Sequence, residues 1–322
     1  MDKIYQFEPI LKPVLWGGDK LARLKGVASA EGQTIGESWE LSGVTGHESI
    51  VAGGHEAGAT LTQLVERHGA SLVGEHVWNR CGTTFPLLVK VIDARQDLSL
   101  QVHPDDDMAR RFNSNGKTEM WYIVDTNGTA HIRTGFNRVI TAQEYERRIA
   151  DNTILDVVRS QPSQAGDVFF IPAGMIHAIG AGNLLVEVQQ SSDITYRVYD
   201  YDRRDAQGNP RELHTALARE ALHYDTTDGY QMRCDANAQG VTRLVRCPYF
   251  EVSRLDYDNG FELELPSSFL AMVCLKGGGT VSADGEEPVA LHDYTTLLVS
   301  ASAHSLTFTG AGQLVLASVP NN

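Results

Sequence analysis

The 322-residue chain is 42% hydrophobic and 21% charged, a balance that suits a globular protein with a sizeable core and excludes global disorder. Its 27 Lys and Arg against 41 Asp and Glu give a net charge of −14, which argues against nucleic acid or an anionic membrane as the main partner. No apolar run approaches the roughly 18 residues that a membrane-crossing helix needs, and the opening Met-Asp-Lys-Ile-Tyr-Gln-Phe-Glu carries charges where a signal peptide needs an apolar stretch.

The length makes two domains the starting expectation, and the 30 Gly and 11 Pro punctuating short apolar runs read as β-rich. In chain order the first half predicts strands at Ser49–Ala52, Leu87–Ile92, Ser99–His103, Glu119–Val124, Val168–Ile171, Leu184–Gln189 and Thr195–Tyr199. Short helices are expected at Thr60–His68 and Asp105–Phe112. A third runs through Arg148, where Thr141 and Glu144 have capping-box spacing. A fourth is expected over Arg211–Tyr224, because Leu213, Leu217, Ala221 and Tyr224 fall on one face. Around Ala236–Gln239 the text turns small and polar, which divides the chain into domains 1–235 and 236–322. The second domain reads as short strands from Phe250–Tyr257 to Gln313–Ser318, a small β-sandwich or barrel. Cys81, Cys234, Cys247 and Cys274 are far apart with no CxxC pair, so they read as small core residues of a cytoplasmic protein.

Three passages carry chemistry. In Leu100-Gln101-Val102-His103-Pro104, Gln101 and His103 lie two residues apart and share one face of a strand. Lys117 and Glu119 repeat that parity, Glu119 falling sixteen residues after His103. Gly166-Asp-Val-Phe-Phe-Ile-Pro172-Ala-Gly174-Met-Ile-His177 has the spacing G-x5-P-x-G-x2-H, which resembles the second motif of the cupin β-barrels and would aim His177 inward. Alone, that spacing fits a core histidine after an ordinary strand–turn equally well. Two imidazoles, a carboxylate and an optional amide make a mixed N/O site suited to a divalent ion such as zinc. In the third passage Leu184, Val186 and Val188 alternate with Leu185, Glu187 and Gln189, so Glu187 and Gln189 share a face. Arg197 shares their parity if the strand resumes in register after Ser191-Ser192-Asp193. An ordinary polar or solvated strand face remains the alternative for each set.

Together these passages resemble the type I mannose-6-phosphate isomerase (phosphomannose isomerase) family, zinc-dependent cupins. The resemblance also takes in Lys12-Pro13, Trp16-Gly17-Gly18, Gly36-Glu37-Ser38-Trp39-Glu40, Pro86-Leu87-Leu88-Val89-Lys90 and Gly116-Lys117-Thr118-Glu119-Met120-Trp121-Tyr122. It implies a mainly β cupin (double-stranded β-helix) barrel with a few helices and a smaller C-terminal cupin-like domain without metal. Gln101, His103, Glu119 and His177 would be the ligands of one Zn2+ per chain, and Arg197, Glu187, Lys117 and Lys90 the catalytic residues. Glu187 is the favoured proton-transfer base, and Arg203 a further helper on the phosphate. The substrate would be a small sugar phosphate. Long family members commonly carry His-Lys-Pro-Glu where this chain has Gly116-Lys117-Thr118-Glu119, so a role for that histidine does not transfer. The 58 positions from Glu119 to His177 leave no room for the long forms' helical insertion and point to the compact bacterial form. His304 loosely echoes the turn before His177, but no Gln-x-His or spaced Glu accompanies it, so a structural or surface role is expected. Two other readings compete: a non-catalytic sugar-phosphate sensor, and a non-haem iron cupin dioxygenase, although His-x-His usually opens the latter's triad where Gln101-x-His103 stands here.

Overall fold

The computed structural model describes residues 1–27, 34–204, 207–226, 230–235 and 237–321. The protein is mainly β and folds as two sandwiches, each made of a seven-stranded sheet facing a smaller one, with antiparallel pairing. In the N-terminal sandwich the large sheet runs Tyr230–Arg233, Asp167–Ile171, Glu119–Thr126, Asn183–Gln190, Leu87–Asp93, Ile35–Ser42, Ile10–Gly18. The five-stranded sheet opposite runs Tyr196–Tyr199, Leu100–Val102, His177–Ile179, His131–Phe136, Val158–Pro162. This is the expected cupin architecture, with one correction: among the described residues the sheets stay open rather than closing into a barrel. Closure needs strands long and staggered enough to bridge the corners, and Leu100–Val102 and His177–Ile179 are three residues each.

The alternation in Leu184–Gln189 explains how the large sheet is used. Its outward residues, Val186 and Val188 with Val89, Val91, Met120 and Tyr122, bury against Phe250, Phe269 and Val273 of the C-terminal half in one shared core. Its inward residues include Glu119, Glu187 and Lys90 beside an apolar cluster of Ile92, Trp121, Ile123, Phe169 and Leu185, so polar and apolar side chains share the interior of the N-terminal sandwich. The chain changes sheet between Arg233 and Gly240. The first strand, Ile4–Glu8, pairs with Thr296–Val299, so the N-terminus completes the C-terminal sheet. That strand alternates over Tyr5-Gln6-Phe7-Glu8 but is short, whereas Ile10–Gly18 and Ile35–Ser42 lack a clean alternation and are stabilised by their neighbours.

Thr60 heads the helix Leu61–His68 with a complete capping box to Gln63. Thr141 caps Ala142–Ala150, but the Glu144 carboxylate turns to Arg138 and Arg148 and leaves that box half made. The helix expected over Arg211–Tyr224 is confined to Thr215–Ala221. Residues 211–214 stay outside the helix instead: Arg211 pairs with Asp200, the Glu212 carbonyl accepts from Arg197, and His214 N–H donates to the Arg197 carbonyl. Leu213 is accordingly exposed, while Leu217, Ala221 and Tyr224 pack on the outer face of the small sheet. All four cysteines are free, with Cys234 and Cys274 buried and Cys81 and Cys247 partly so.

A buried ion pair ties the two sandwiches together. Lys25 Nζ lies 2.7 Å from the Glu40 carboxylate and donates to the Tyr294 carbonyl at 2.8 Å, while Glu40 accepts from Thr296 Oγ at 2.8 Å. Removing one partner leaves an uncompensated buried charge, a loss of about 3–5 kcal/mol. Lys25→Met is therefore expected to lower the unfolding free energy by about that much, read as a lower urea midpoint at unchanged m; an unchanged midpoint would show that water reaches Glu40.

Candidate metal centre and substrate cavity

Register positions the chemistry. Across the large sheet, Trp121, Glu187, Lys90 and Trp39 are successive cross-strand neighbours on four strands, and Glu119 pairs with Gln189 in the next inward row. Across the small sheet, Arg197, Gln101, His177 and Thr134 form the facing row. Strand parity turns these side chains inward, and register with the packing of the two sheets brings Glu119, Glu187 and Lys90 opposite Gln101, His177 and Arg197. The Pro172-Ala173-Gly174 turn delivers His177. Gly174 has φ +83°, and its N–H donates to the His103 carbonyl at 2.9 Å, which ties the two histidine segments together.

Among the described residues, His103, Glu119 and His177 are the one group of three potential His, Cys, Asp or Glu ligands able to hold a single ion, and all three are buried. His103 Nδ1–H donates to the Ile194 carbonyl at 2.9 Å and His177 Nδ1–H to the Met175 carbonyl at 2.8 Å. A carbonyl only accepts, so both rings carry their proton on Nδ1 and present the Nε2 lone pair. The two Nε2 atoms lie 3.2 Å apart, and they stand 3.5 and 3.4 Å from the Glu119 carboxylate. Gln101 Nε2 is 3.3 Å from His177 Nε2, and a half-turn of that amide would present its oxygen to the same point. Ligands at about 2.0–2.1 Å on a tetrahedron are separated by about 3.3–3.4 Å, close to these spacings.

The electrostatics point the same way. Burial drives His103 well below its usual range, with Lys117 and His177 adding to the effect, and pushes His177 down to about 4. Both rings are therefore neutral ligands at pH 7. Burial and the charge of Glu187 push Glu119 up to about 8 against the pull of Lys117 and Lys90, and neither of its oxygens has a hydrogen-bond partner. Two facing lone pairs beside an orphaned buried carboxylate form a cluster that a divalent cation satisfies.

A cavity of about 250 Å3 adjoins this cluster, lined by Gln101, Lys117, Lys90, Glu187, Arg197, Arg211, Glu37, Trp39, Asp193 and apolar residues including Trp16 and Leu98. Lys90 Nζ lies 3.0 Å from Glu187 and 3.9 Å from Glu37, and 5.1 Å above the Trp39 ring. Burial lowers the Lys90 ammonium, but Glu187 and Glu37 outweigh it and hold Lys90 charged. Burial likewise raises Glu187, but Lys90 and Lys117 outweigh it and hold Glu187 ionised, while Trp121 Nε1 donates to its second oxygen at 2.9 Å. Lys117 Nζ is 3.4 Å from Glu119. Gly116 lets the preceding backbone pack against Asp105–Asp106, because a Cβ there would meet the Asp106 backbone nitrogen at 2.7 Å. Larger clefts on the C-terminal half and beside Tyr249 do not bring together comparable ligands and cations.

All eight residues singled out in the sequence thus come together around one cluster and its cavity. Arg203 lies outside the cavity lining, donating to Asp200 and the Asp97 carbonyl. The His304 ring is exposed, and its backbone N–H donates to Asp284. Sequence reasoning gave no role to Glu37, Trp39, Trp121 or Arg211. Glu37 and Trp39 could have been found from their shared parity on a strand whose other face buries Ser38 and Glu40, whereas Arg211 sat at the start of an apparent helix.

An open two-sheet cupin with a buried two-histidine, one-glutamate cluster beside a charged cavity defines a metal-site cupin. Residues 4–130 match the family described as phosphomannose isomerase type I, catalytic domain. Mannose-6-phosphate isomerase ManA of Bacillus subtilis is 36% identical over 278 residues, 85% of each chain. The crystal structure of the mannose 6-phosphate isomerase from Bacillus subtilis superposes with a TM-score of 0.88 at 32% identity, over 99% of this chain and 100% of that one. A zinc-bound mannose 6-phosphate isomerase shares the fold, covering 99% of this chain and 100% of its own, with a TM-score of 0.80 at 16% identity. The chain belongs to the type I mannose-6-phosphate isomerase family.

Proposed function

We propose that the protein is a zinc-dependent aldose–ketose isomerase that interconverts mannose 6-phosphate and fructose 6-phosphate. One observation carries the reading: a neutral-histidine, buried-carboxylate metal cluster adjoins a small cavity lined by an ionised Glu187 and four cations. His103, His177, Glu119 and Gln101 would hold the ion. When bound, zinc supplies a Lewis acid that polarises the sugar carbonyl oxygen. Isomerisation opens the ring and moves a proton between C1 and C2 through a cis-enediolate. Glu187 accepts the proton from one carbon and returns it to the other; Trp121 and Lys90 fix its orientation. Lys90 and Lys117 donate to the sugar oxygens as negative charge develops. Trp16, Leu98 and Ile92 wall off water on one side. Residues 1–235 carry this site, and residues 236–322 act as a metal-free scaffold that buries the outer face of the large sheet. The same reading places the enzyme in the cytoplasm, where its thiols stay reduced.

The net-acidic chain repels a dianion, so discrimination must come from local cations. In a coupled assay, mannose 6-phosphate is expected to be turned over at least about 100-fold more efficiently than mannose, through binding energy from the remote phosphate. Chelation should abolish that turnover. Arg197→Ala should lower kcat/KM about 100-fold while zinc content stays at one per chain, since Arg197 is no ligand. Comparable efficiency on mannose and mannose 6-phosphate would refute the substrate assignment.

A further inference from the structure

The cations of the cavity fall into two sets. Lys90 and Lys117 sit 3.0 and 3.4 Å from Glu187 and Glu119, at the end that faces the metal cluster. Arg197 and Arg211 also line the cavity, but Arg197 lies on the small-sheet strand Tyr196–Tyr199 and Arg211 on the segment that follows it. This second set is built around Asp200, which is buried. Arg211 Nε and Nη2 donate side-on to the two Asp200 oxygens at 2.8 and 2.5 Å, and Arg203 Nη2 donates to the same carboxylate at 2.5 Å. The intervening loop is closed by an antiparallel bridge between Arg204 and Pro210. Burial pushes Asp200 up, but the hydrogen bonds from Arg211 and Arg203 outweigh it and keep the carboxylate ionised, so the fork stays in place.

We propose that Arg211, held in position by Asp200, is the anchor for the substrate phosphate and hence a determinant of phosphate specificity. The inference rests on the isomerase reading and assigns one end of its cavity. The side-on pair uses two of the five N–H donors of Arg211 and leaves three for an anion, in the planar arrangement that suits phosphate oxygens. Arg197 stands on the same rim, its Nη1 on the Glu212 carbonyl and its buried Nε without a partner. Two guanidiniums, Arg197 and Arg211, thus line this end of the cavity, where they suit the negative charge of a phosphate monoester. Lys90 and Lys117 are thereby kept for the C1–C2 end.

The test uses zinc-loaded protein, with Arg211→Gln and Arg211→Lys beside the wild type. The ratio of kcat/KM for mannose 6-phosphate to that for mannose is expected to fall about 100-fold in Arg211→Gln, mainly through KM for the phosphorylated sugar, and less in Arg211→Lys, which keeps the charge but loses the fork. Inorganic phosphate, titrated calorimetrically, should bind Arg211→Gln at least about 10-fold more weakly. An unchanged ratio, or an equal loss on both sugars with phosphate affinity intact, overturns the assignment. Phosphate binding that depends on Arg211 in a wild type without isomerase turnover would refute the isomerase reading and leave the anchor standing.

Discussion

Replacing His103 or His177 by alanine is expected to empty the metal site and remove isomerase activity together. Each ring is locked by its Nδ1–H on a backbone carbonyl, and each contributes one Nε2 to a cluster whose spacings are 3.2–3.5 Å. With one imidazole gone, a histidine and a carboxylate remain beside the Gln101 amide, too few strong ligands to retain zinc against dilution. Zinc by elemental analysis should fall from about one per chain to a small fraction, and kcat/KM for mannose 6-phosphate should drop by at least about 100-fold. Thermal melting of the purified variants separates metal loss from unfolding. Normal turnover with full zinc in both variants would remove these residues from the site.

The second large effect is expected at Glu187. Glu187→Gln keeps the shape and the hydrogen bond from Trp121 but cannot accept a proton from carbon, so kcat should fall about 10²–10⁴-fold with zinc content unchanged. The KM should move far less than kcat, because the phosphate and the metal cluster still hold the sugar. Turnover by the wild type in heavy water is expected to place some deuterium on the transferred carbon when the base exchanges with solvent. Wild-type kcat in Glu187→Gln would move the proton-transfer role to another group, with Lys90 and Lys117 next in reach.

These two residue sets were legible in the sequence for different reasons. His103, Glu119 and His177 sit in motifs where two-residue parity and a Pro-Ala-Gly turn already dictate which way each side chain points, and that is local backbone geometry. Glu187 emerged from simple alternation with Val186 and Val188. The resemblance of those motifs to a known family added the expected roles.

The sequence by itself determined the β-rich class, the parity of the inward faces and the chemistry of the ligand set, because these follow from short-range periodicity. Only the tertiary structure decided which rows meet. Trp121, Glu187, Lys90 and Trp39 line up because four strands from distant parts of the chain share one register, and no local signal encodes that alignment. It also decided that Ile4–Glu8 serves the C-terminal sheet and that residues 211–214 stay outside the helix where an apolar period predicted one. In the latter case the buried Asp200 carboxylate and the end of the Tyr196–Tyr199 strand offer Arg211 and its neighbours partners that a helical turn would forgo, and those contacts outweigh the modest gain from helix periodicity.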